Sequence, residues 1–288
     1  MTGRGVIFVN PSSGSGTEIA DLTELFDGHD VVECEPEGFD EQVRKALSSD
    51  DPPAFLGVAG GDGTIRTAVE VLLETAPQVP LLPIPAGTRN HFARDVGVTT
   101  LDDAVAAIGA GHTLVVDGAT VNEAWFVNNS SVGVYPRLVA HREARESRMP
   151  KGIAAIVAAW HQLRHGRHLR LRVDGSSVKV WAVFVGNNCY GDSLRDLTGR
   201  ERLDEGVLDV RIAHAARRLS RIRIVGAVLF GRVEHSSLID RKRCTEVQLD
   251  IDHGVNVAVD GEVMPMDSPL RYQARPAALT VLVSGERP

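Results

Sequence analysis

The apolar run Ala54-Phe55-Leu56-Gly57-Val58 passes directly into Ala59-Gly60-Gly61-Asp62-Gly63-Thr64 and then into the periodic segment Ile65 to Glu74. Strand, glycine loop and helix, in that order, is the local arrangement a phosphate site needs. Glycine lets the backbone turn tightly and approach a ligand, and the first N–H groups of the new helix attract anions. Asp62 sits where phosphate would lie. A lone carboxylate would repel that ligand, so a magnesium ion between the two is the arrangement that fits it. The plainer alternative is a βα turn whose glycines serve geometry and whose Asp62 caps the helix.

The same unit occurs three times. Gly5 to Val9 reads as a buried strand, followed by the loop Asn10 to Gly16 and a helix carrying Ile19, Leu22, Leu25 and Phe26. A short strand at Val31-Val32 and a helix faced by Val43, Ala46 and Leu47 precede the glycine loop. Behind it Ile65, Ala68, Val69, Leu72 and Leu73 fall at helical spacing. Leu81 to Ile84 then form a strand, and Ala86-Gly87-Thr88-Arg89-Asn90 leads into a helix through Val96. Thr100 and Asp103 have capping-box spacing before the apolar face of Leu101, Ala104, Val105 and Ile108. Alternating strands and helices predict a doubly wound parallel sheet, with all three polar loops beyond the carboxyl ends of its strands, where such sheets bind ligands.

After about Val115 the pattern changes to shorter strand-like runs: 125–127, 169–173, 178–185, 207–212, 247–251 and 255–259. Turns rich in Gly, Asn and Asp separate them, which predicts a β-rich antiparallel sandwich. The expected organisation is an α/β nucleotide-binding domain over 1–118 and a β-rich domain over 119–288, with the last strand free to return to the first domain. Two helical patches interrupt the β region, one at Ile153, Ile156, Val157 and Trp160, the other at Ile222, Val225, Val228 and Leu229.

Between Arg137 and Arg172 there are nine Lys or Arg residues against Glu143 and Glu146, in a chain of net charge -7. Apolar residues flanked by cations suit the headgroup boundary of an anionic membrane. A solvated helix packed on the sandwich has the same pattern. The net negative charge argues against general nucleic-acid affinity. The longest apolar stretches, near Ile153 to Trp160 and Ile222 to Phe230, fall short of the roughly 20 residues of a spanning helix, so membrane contact is expected to be transient and peripheral. No signal peptide is evident. Cys34, Cys189 and Cys244 lack metal-ligand spacing and suggest a reducing cytoplasm.

Three further stretches carry candidate chemistry. Asn10-Pro11-Ser12-Ser13-Gly14 offers small side chains and free N–H groups to a polyphosphate, and without Gly-Lys-Ser or Gly-Lys-Thr it is no Walker loop. A serine-rich helix cap would read the same. Val259-Asp260-Gly261-Glu262 sets two carboxylates around a glycine at a strand end, and period-two geometry would aim both toward one ligand. Either could take the proton of an attacking hydroxyl; the alternative is an Asp-Gly hairpin turn. Leu203-Asp204-Glu205-Gly206-Val207 could hold a hard cation, or could also be a hairpin.

Together these features resemble the diacylglycerol kinase catalytic family, especially the bacterial soluble lipid kinases, with sphingosine kinases and NAD kinases more distant. The resemblance rests on Asn-Pro-Ser-Ser-Gly at 10–14, Gly-Gly-Asp-Gly-Thr at 60–64, Pro-Ala-Gly-Thr-Arg-Asn at 85–90, Gly-Asn-Asn at 186–188, Leu-Asp-Glu-Gly-Val-Leu at 203–208 and Asp-Gly-Glu at 260–262. It implies an ATP-dependent lipid kinase acting on a substrate such as diacylglycerol, with chemistry in a cleft between the domains. Asn10, Pro11, Ser12, Ser13, Gly14, Gly60, Gly61, Asp62, Gly63, Thr64, Ile65, Arg66 and Thr88 would contact ATP. Asp62 would organise Mg2+ and water on the phosphates, and Glu262, supported by Asp260, would accept the proton. A structural magnesium would lie at Glu205 with the backbone oxygens of Arg202 and Val207. A homodimer is one assembly open to such a chain.

This sequence departs from the family pattern at Arg66 and His91, where Asn and Asp are usual, and at Glu205, where Asp is usual. Arg66 could add a phosphate contact, whereas His91 removes a carboxylate from the expected metal network. An NAD-kinase-like small-molecule kinase and a catalytically weakened nucleotide- or lipid-binding regulator are the competing functions.

Overall fold

A computed structural model describes residues 3–10, 19–87, 89–133, 168–191, 199–215 and 237–285. The chain divides into two units, residues 1–118 with 275–288, and residues 119–274.

The first unit carries β1 (Val6–Val9), α1 (Ile19–Leu25), β2 (Asp30–Glu33), α2 (Phe39–Leu47), β3 (Leu56–Gly60), α3 (Asp62–Thr75), β4 (Leu81–Pro85), α4 (His91–Asp95) and α5 (Leu101–Ala110). Its strands pair in the order β2-β1-β3-β4, all parallel. The C-terminal part of β15 (Leu270–Val283) extends this sheet, Val281 pairing parallel with Leu81. Every residue of β3 is buried, so both faces of the sheet are covered there, which is why parallel strands read as unbroken apolar runs. Helix α2 buries Phe39, Val43 and Leu47 at four-residue spacing, and α3 buries Ile65, Ala68, Val69 and Leu72. Thr100 Oγ1 accepts from the Asp103 N–H and the Asp103 carboxylate accepts from the Thr100 N–H, the reciprocal cap their spacing predicts for α5. Thr99 adds two more donors, which hold the Asp103 carboxyl below its ordinary value.

The second unit is antiparallel throughout its named pairings. Continuing along the chain are β5 (His112–Val121), whose last residues belong here, β6 (Ala124–Phe126), β7 (Asn129–Gly133), β8 (Leu169–Val173), β9 (Ser176–Asn187), β10 (Leu208–His214), β11 (Ile239–Cys244), β12 (Glu246–Ile251), β13 (Val255–Val259) and β14 (Glu262–Met266). Strands run β14-β13-β7-β9-β8-β12-β15, with β10 on β9 and β11 on β10. Val183, Val185, Leu208, Val210, Leu249, Val257, Val259 and Leu270 fill its core. The Phe126 and Tyr272 rings meet edge to face at 6.3 Å. Tyr272 is fully enclosed, its hydroxyl 3.2 Å from Ser130 Oγ, and burial pushes its ionisation well above the ordinary phenol range.

Four of these strands, β5, β7, β11 and β14, were not among the expected runs, the last three for physical reasons. β11 reads Ile-Asp-Arg-Lys-Arg-Cys and pairs only with β10, so it is an edge strand; Asp240, Lys242 and Arg243 face water, while Arg241 turns onto the buried Asp209 carboxylate at 2.8 Å. β7 reads Asn-Ser-Ser-Val-Gly, so polar residues mask its strand signal; Ser130 Oγ among them lies 3.2 Å from the Tyr272 hydroxyl. β14 is short and half exposed. The helical patches expected at 153–160 and 222–229 lie outside the described residues.

Thr100→Ala removes one half of the α5 cap without touching the sheet. It is expected to cost about 1 kcal/mol of unfolding free energy in a urea titration, with the slope unchanged.

Candidate active site

Three loops follow β1, β3 and β4 in the first unit, and side chains tie each to the next. Asn10 extends the β1 ladder, its N–H on the Ala59 carbonyl at 3.1 Å, and its Nδ2 donates to Thr64 Oγ1 at 3.2 Å. Asn10, at the start of the first loop, is thereby fixed to the second; Pro11, Ser12, Ser13 and Gly14 lie outside the described residues. The second and third loops touch backbone to backbone. A Cβ built on Gly87 would stand 2.5 Å from the Gly61 Cα and 2.8 Å from Asn90 Oδ1, so only glycine fits at 87. Asn90, in the left-handed region at φ 49, closes the third loop by accepting from the Gly87 N–H at 2.9 Å and donating to the Gly87 carbonyl at 2.8 Å. Thr88 lies outside the described residues.

Gly61 is the N-cap of α3 and offers no side chain to cap it. Asp62 is the first helical residue, and its carboxylate turns to the next loop: Oδ2 accepts from the His91 N–H at 3.2 Å and Oδ1 from the Phe92 N–H at 3.1 Å. It therefore caps α4 rather than the helix it begins. Carboxylate oxygen is the hard ligand that Mg2+ takes, which suits Asp62 to a cation as a residue type. Gly60, Gly61, Gly63, Thr64 and Ile65 occupy the strand end and first turn of α3, where the helix dipole favours anions. Arg66 is turned to a different purpose, its Nη1 bonded to Glu70 Oε2 at 2.9 Å on the next turn with the residue only 8% exposed. At the second departure from the pattern, the His91 ring nitrogen Nδ1 lies 2.9 Å from Arg94.

In the second unit the motif at 260–262 is a two-residue hairpin turn. Val259 pairs with Glu262, and Asp260 and Gly261 both have positive φ, 47 and 92. Period-two alternation stops at such a turn, which corrects the expectation of two carboxylates aimed together. Asp260 folds inward and accepts from the N–H groups of Val127, Asn128 and Asn129 at 2.8–2.9 Å, while Glu262 is exposed. Asp260 is thus committed to shaping the turn, while Glu262 stands on the exposed side of it. Behind the 127–129 segment lies Arg200, whose Nη2 donates to Asn128 Oδ1 at 3.0 Å. Sequence reasoning passed over Asn128 and Arg200. The polar run Asn128-Asn129-Ser130-Ser131 inside strand-like texture was a usable signal for the first; nothing in the sequence marks Arg200.

The acidic turn is closed by protein donors. Glu205 Oε2 accepts from the Cys189 N–H at 2.8 Å, the Glu205 N–H donates to Asn188 Oδ1 at 3.0 Å, and the Asn188 N–H donates to the Val207 carbonyl at 2.9 Å. The Arg202 side chain bonds Asp204. Among the described residues no three His, Cys, Asp or Glu side chains gather as a metal site. A carboxylate with backbone carbonyls is still a hard-oxygen set, and it would accept Mg2+ with water completing the shell. Burial and the neighbouring Glu205 push the Cys189 thiol up to about 11, so it is no nucleophile near neutral pH.

Asp260→Ala would leave three N–H groups of a closed segment without their acceptor. It is expected to cost roughly 3 kcal/mol in denaturant unfolding, with Asp260→Asn less damaging because one oxygen remains.

With this geometry in view, the chain can be set beside known proteins. The profile of the diacylglycerol kinase catalytic domain matches residues 4–121, and that of the YegS C-terminal NAD kinase beta sandwich-like domain matches residues 131–283. A diacylglycerol kinase of Mycobacterium tuberculosis (strain ATCC 25618 / H37Rv) is 30% identical over 301 residues, covering 97% of this chain and 95% of that protein. "Probable lipid kinase YegS-like" of Pseudomonas fluorescens is 25% identical over 250 residues, 85% of this chain and 82% of its own length. The crystal structure of a diacylglycerol kinase from Bacillus anthracis str. Sterne has the same fold, with a TM-score of 0.70 at 19% identity and 98% of each chain covered. The catalytic-domain profile followed by the beta sandwich-like profile matches the order of the two units, and the chain belongs to the diacylglycerol kinase family of lipid kinases.

Proposed function

We propose that this protein is an ATP-dependent lipid kinase that transfers the γ-phosphoryl group of ATP to a hydroxyl of a lipid such as diacylglycerol. The observation that carries this reading is the interlock of the three loops beyond β1, β3 and β4, through Asn10–Thr64, Gly61–Gly87 and Asp62 to His91 and Phe92. Phosphoryl transfer asks little covalent work of a protein and much positioning, and loops that brace one another supply it.

In this scheme the ATP phosphates lie at the first turn of α3, contacted by residues 60–66 together with Asn10, the residues of 11–14 and Thr88. Asp62 is the carboxylate available to Mg2+ there. Bound Mg2+ supplies neutralisation of the phosphate charge. The lipid hydroxyl forms a new O–P bond at the γ-phosphorus as the bond to the β-phosphate oxygen breaks, and its proton passes to the Glu262 carboxylate. Asp260 holds the turn that presents Glu262. A magnesium at Glu205, Arg202 and Val207 would be structural, adding to a turn that hydrogen bonds already close, and no step passes through it. The site of action would be the cytoplasmic face of a membrane, met peripherally. No helix among the described residues is long and apolar enough to cross one. Arg170 and Arg172 are exposed on β8, with Lys179 opposite Arg170 on β9, and like charges set across a ladder favour an anionic partner.

The purified protein, given labelled ATP, Mg2+ and either diacylglycerol micelles or NAD, is expected to label the lipid. Label in NADP alone would identify a small-molecule kinase instead, and no label in either would favour a binding regulator. Glu262→Gln and Asp62→Asn should each lower kcat about 100-fold or more, and unchanged rates would remove both residues from the site.

Sedimentation with vesicles tests the membrane contact. Binding should require anionic lipid, weaken with added salt, and fall further in Arg170→Glu/Arg172→Glu; equal binding to neutral vesicles would contradict an electrostatic contact.

A further inference from the structure

Two buried charges in the second unit grip the same peptide group from opposite ends. The Val127 carbonyl accepts from Arg200 Nη1 at 2.6 Å. The N–H of that same peptide, on Asn128, donates to Asp260 Oδ1 at 2.9 Å. Arg200 and Asp260 are 4% and 8% exposed, so neither relies on water for its solvation. A cation on the oxygen and an anion on the nitrogen polarise a peptide in the same sense, and each bond strengthens the other. The two charges thereby compensate one another through the backbone, where a buried charge left alone would be costly.

The remaining bonds of Arg200 fix its guanidinium in place. Nη1 also donates to the Asn187 carbonyl at 3.1 Å, Nη2 to Asn128 Oδ1 at 3.0 Å, and the guanidinium carbon lies 5.6 Å from the centroid of the Tyr190 ring. A planar fork on a rigid plane can meet two carbonyls and an amide at once; a lysine ammonium on a flexible stem cannot. On the far side of the peptide, Asp260 also binds the N–H groups of Val127 and Asn129, and its own N–H donates to the Asn129 carbonyl at 2.9 Å. Two residues later, across the turn, stands Glu262.

We infer that Arg200 is a positioning residue for Glu262, acting through the Val127–Asn128 peptide and Asp260 to set the angle at which the β13–β14 hairpin presents that carboxylate; this rests on the reading of Glu262 as the proton acceptor. Arg200 touches neither the phosphate loops nor Glu262 in any bond described above. Its loss should slow the chemical step while leaving substrate binding in place.

The test uses Arg200→Met and Arg200→Lys in the full chain, with kcat, KM for ATP and for lipid, and the amide proton shifts and exchange rates of Asn128 and Asn129 by NMR. Arg200→Met is expected to lower kcat about tenfold or more with both KM values within about twofold, to move the Asn128 amide proton upfield and to speed its exchange. Arg200→Lys should recover only part of kcat, and it serves as the reporter if the Met variant does not fold. In a Glu262→Asp background the Arg200 substitution should add less than about threefold, because the two residues act as one unit. Wild-type kcat in both Arg200 variants, a loss confined to KM, or a fully multiplicative effect with Glu262→Asp would each overturn the inference. If Glu262→Gln itself keeps full kcat, the assignment of the proton acceptor fails, and that outcome is distinct from an inactive Glu262→Gln beside fully active Arg200 variants.

Discussion

Asp62 opens α3 yet gives its carboxylate to the N–H groups of His91 and Phe92, and the architecture of the first unit hangs on that reach. Without it the loops after β3 and β4 would be held together only by their strands and by the close approach of Gly61 and Gly87. With it, and with the Asn10–Thr64 bond on the other side, the described ends of the three loops are joined along the carboxyl edge of the sheet. Asp260 repeats the device in the second unit, where one carboxylate gathers three successive N–H groups of a distant segment. In both places a short acidic side chain substitutes for secondary structure, because backbone donors at a loop cannot all find carbonyl partners.

The parallel sheet was legible because strands covered on both faces leave continuous apolar runs, and β1, β3 and β4 are such strands. The loops were legible as motifs. What could not be read was the direction in which each carboxylate turns, since that depends on partners in other segments, 29 and 30 residues away for Asp62 and 133 for Asp260 and Val127. The period-two argument for Asp260 and Glu262 failed for a local reason: two consecutive residues at positive φ form a turn, and alternation has no meaning across it. Arg200 was invisible for the opposite reason. Its bonds go mostly to backbone carbonyls, which carry no sequence signature.

The three departures from the family pattern have different structural weight. Arg66 is neutralised on its own helix by Glu70, so its charge is spent locally. His91 contributes its N–H to Asp62, a contact that any residue but proline could make, while its ring turns to Arg94. Glu205 is used at full length: its Oε2 meets the Cys189 N–H while its own N–H meets Asn188.

The facing glycines of the second and third loops are not equivalent partners. A Cβ on Gly61 would lie 3.8 Å from the Gly87 Cα, an ordinary contact, whereas one on Gly87 would lie 2.5 Å from the Gly61 Cα. As related chains diverge one residue at a time, steric freedom is therefore distributed against appearance: the conspicuous glycine-rich loop has room at Gly61, and the inconspicuous third loop has none at Gly87.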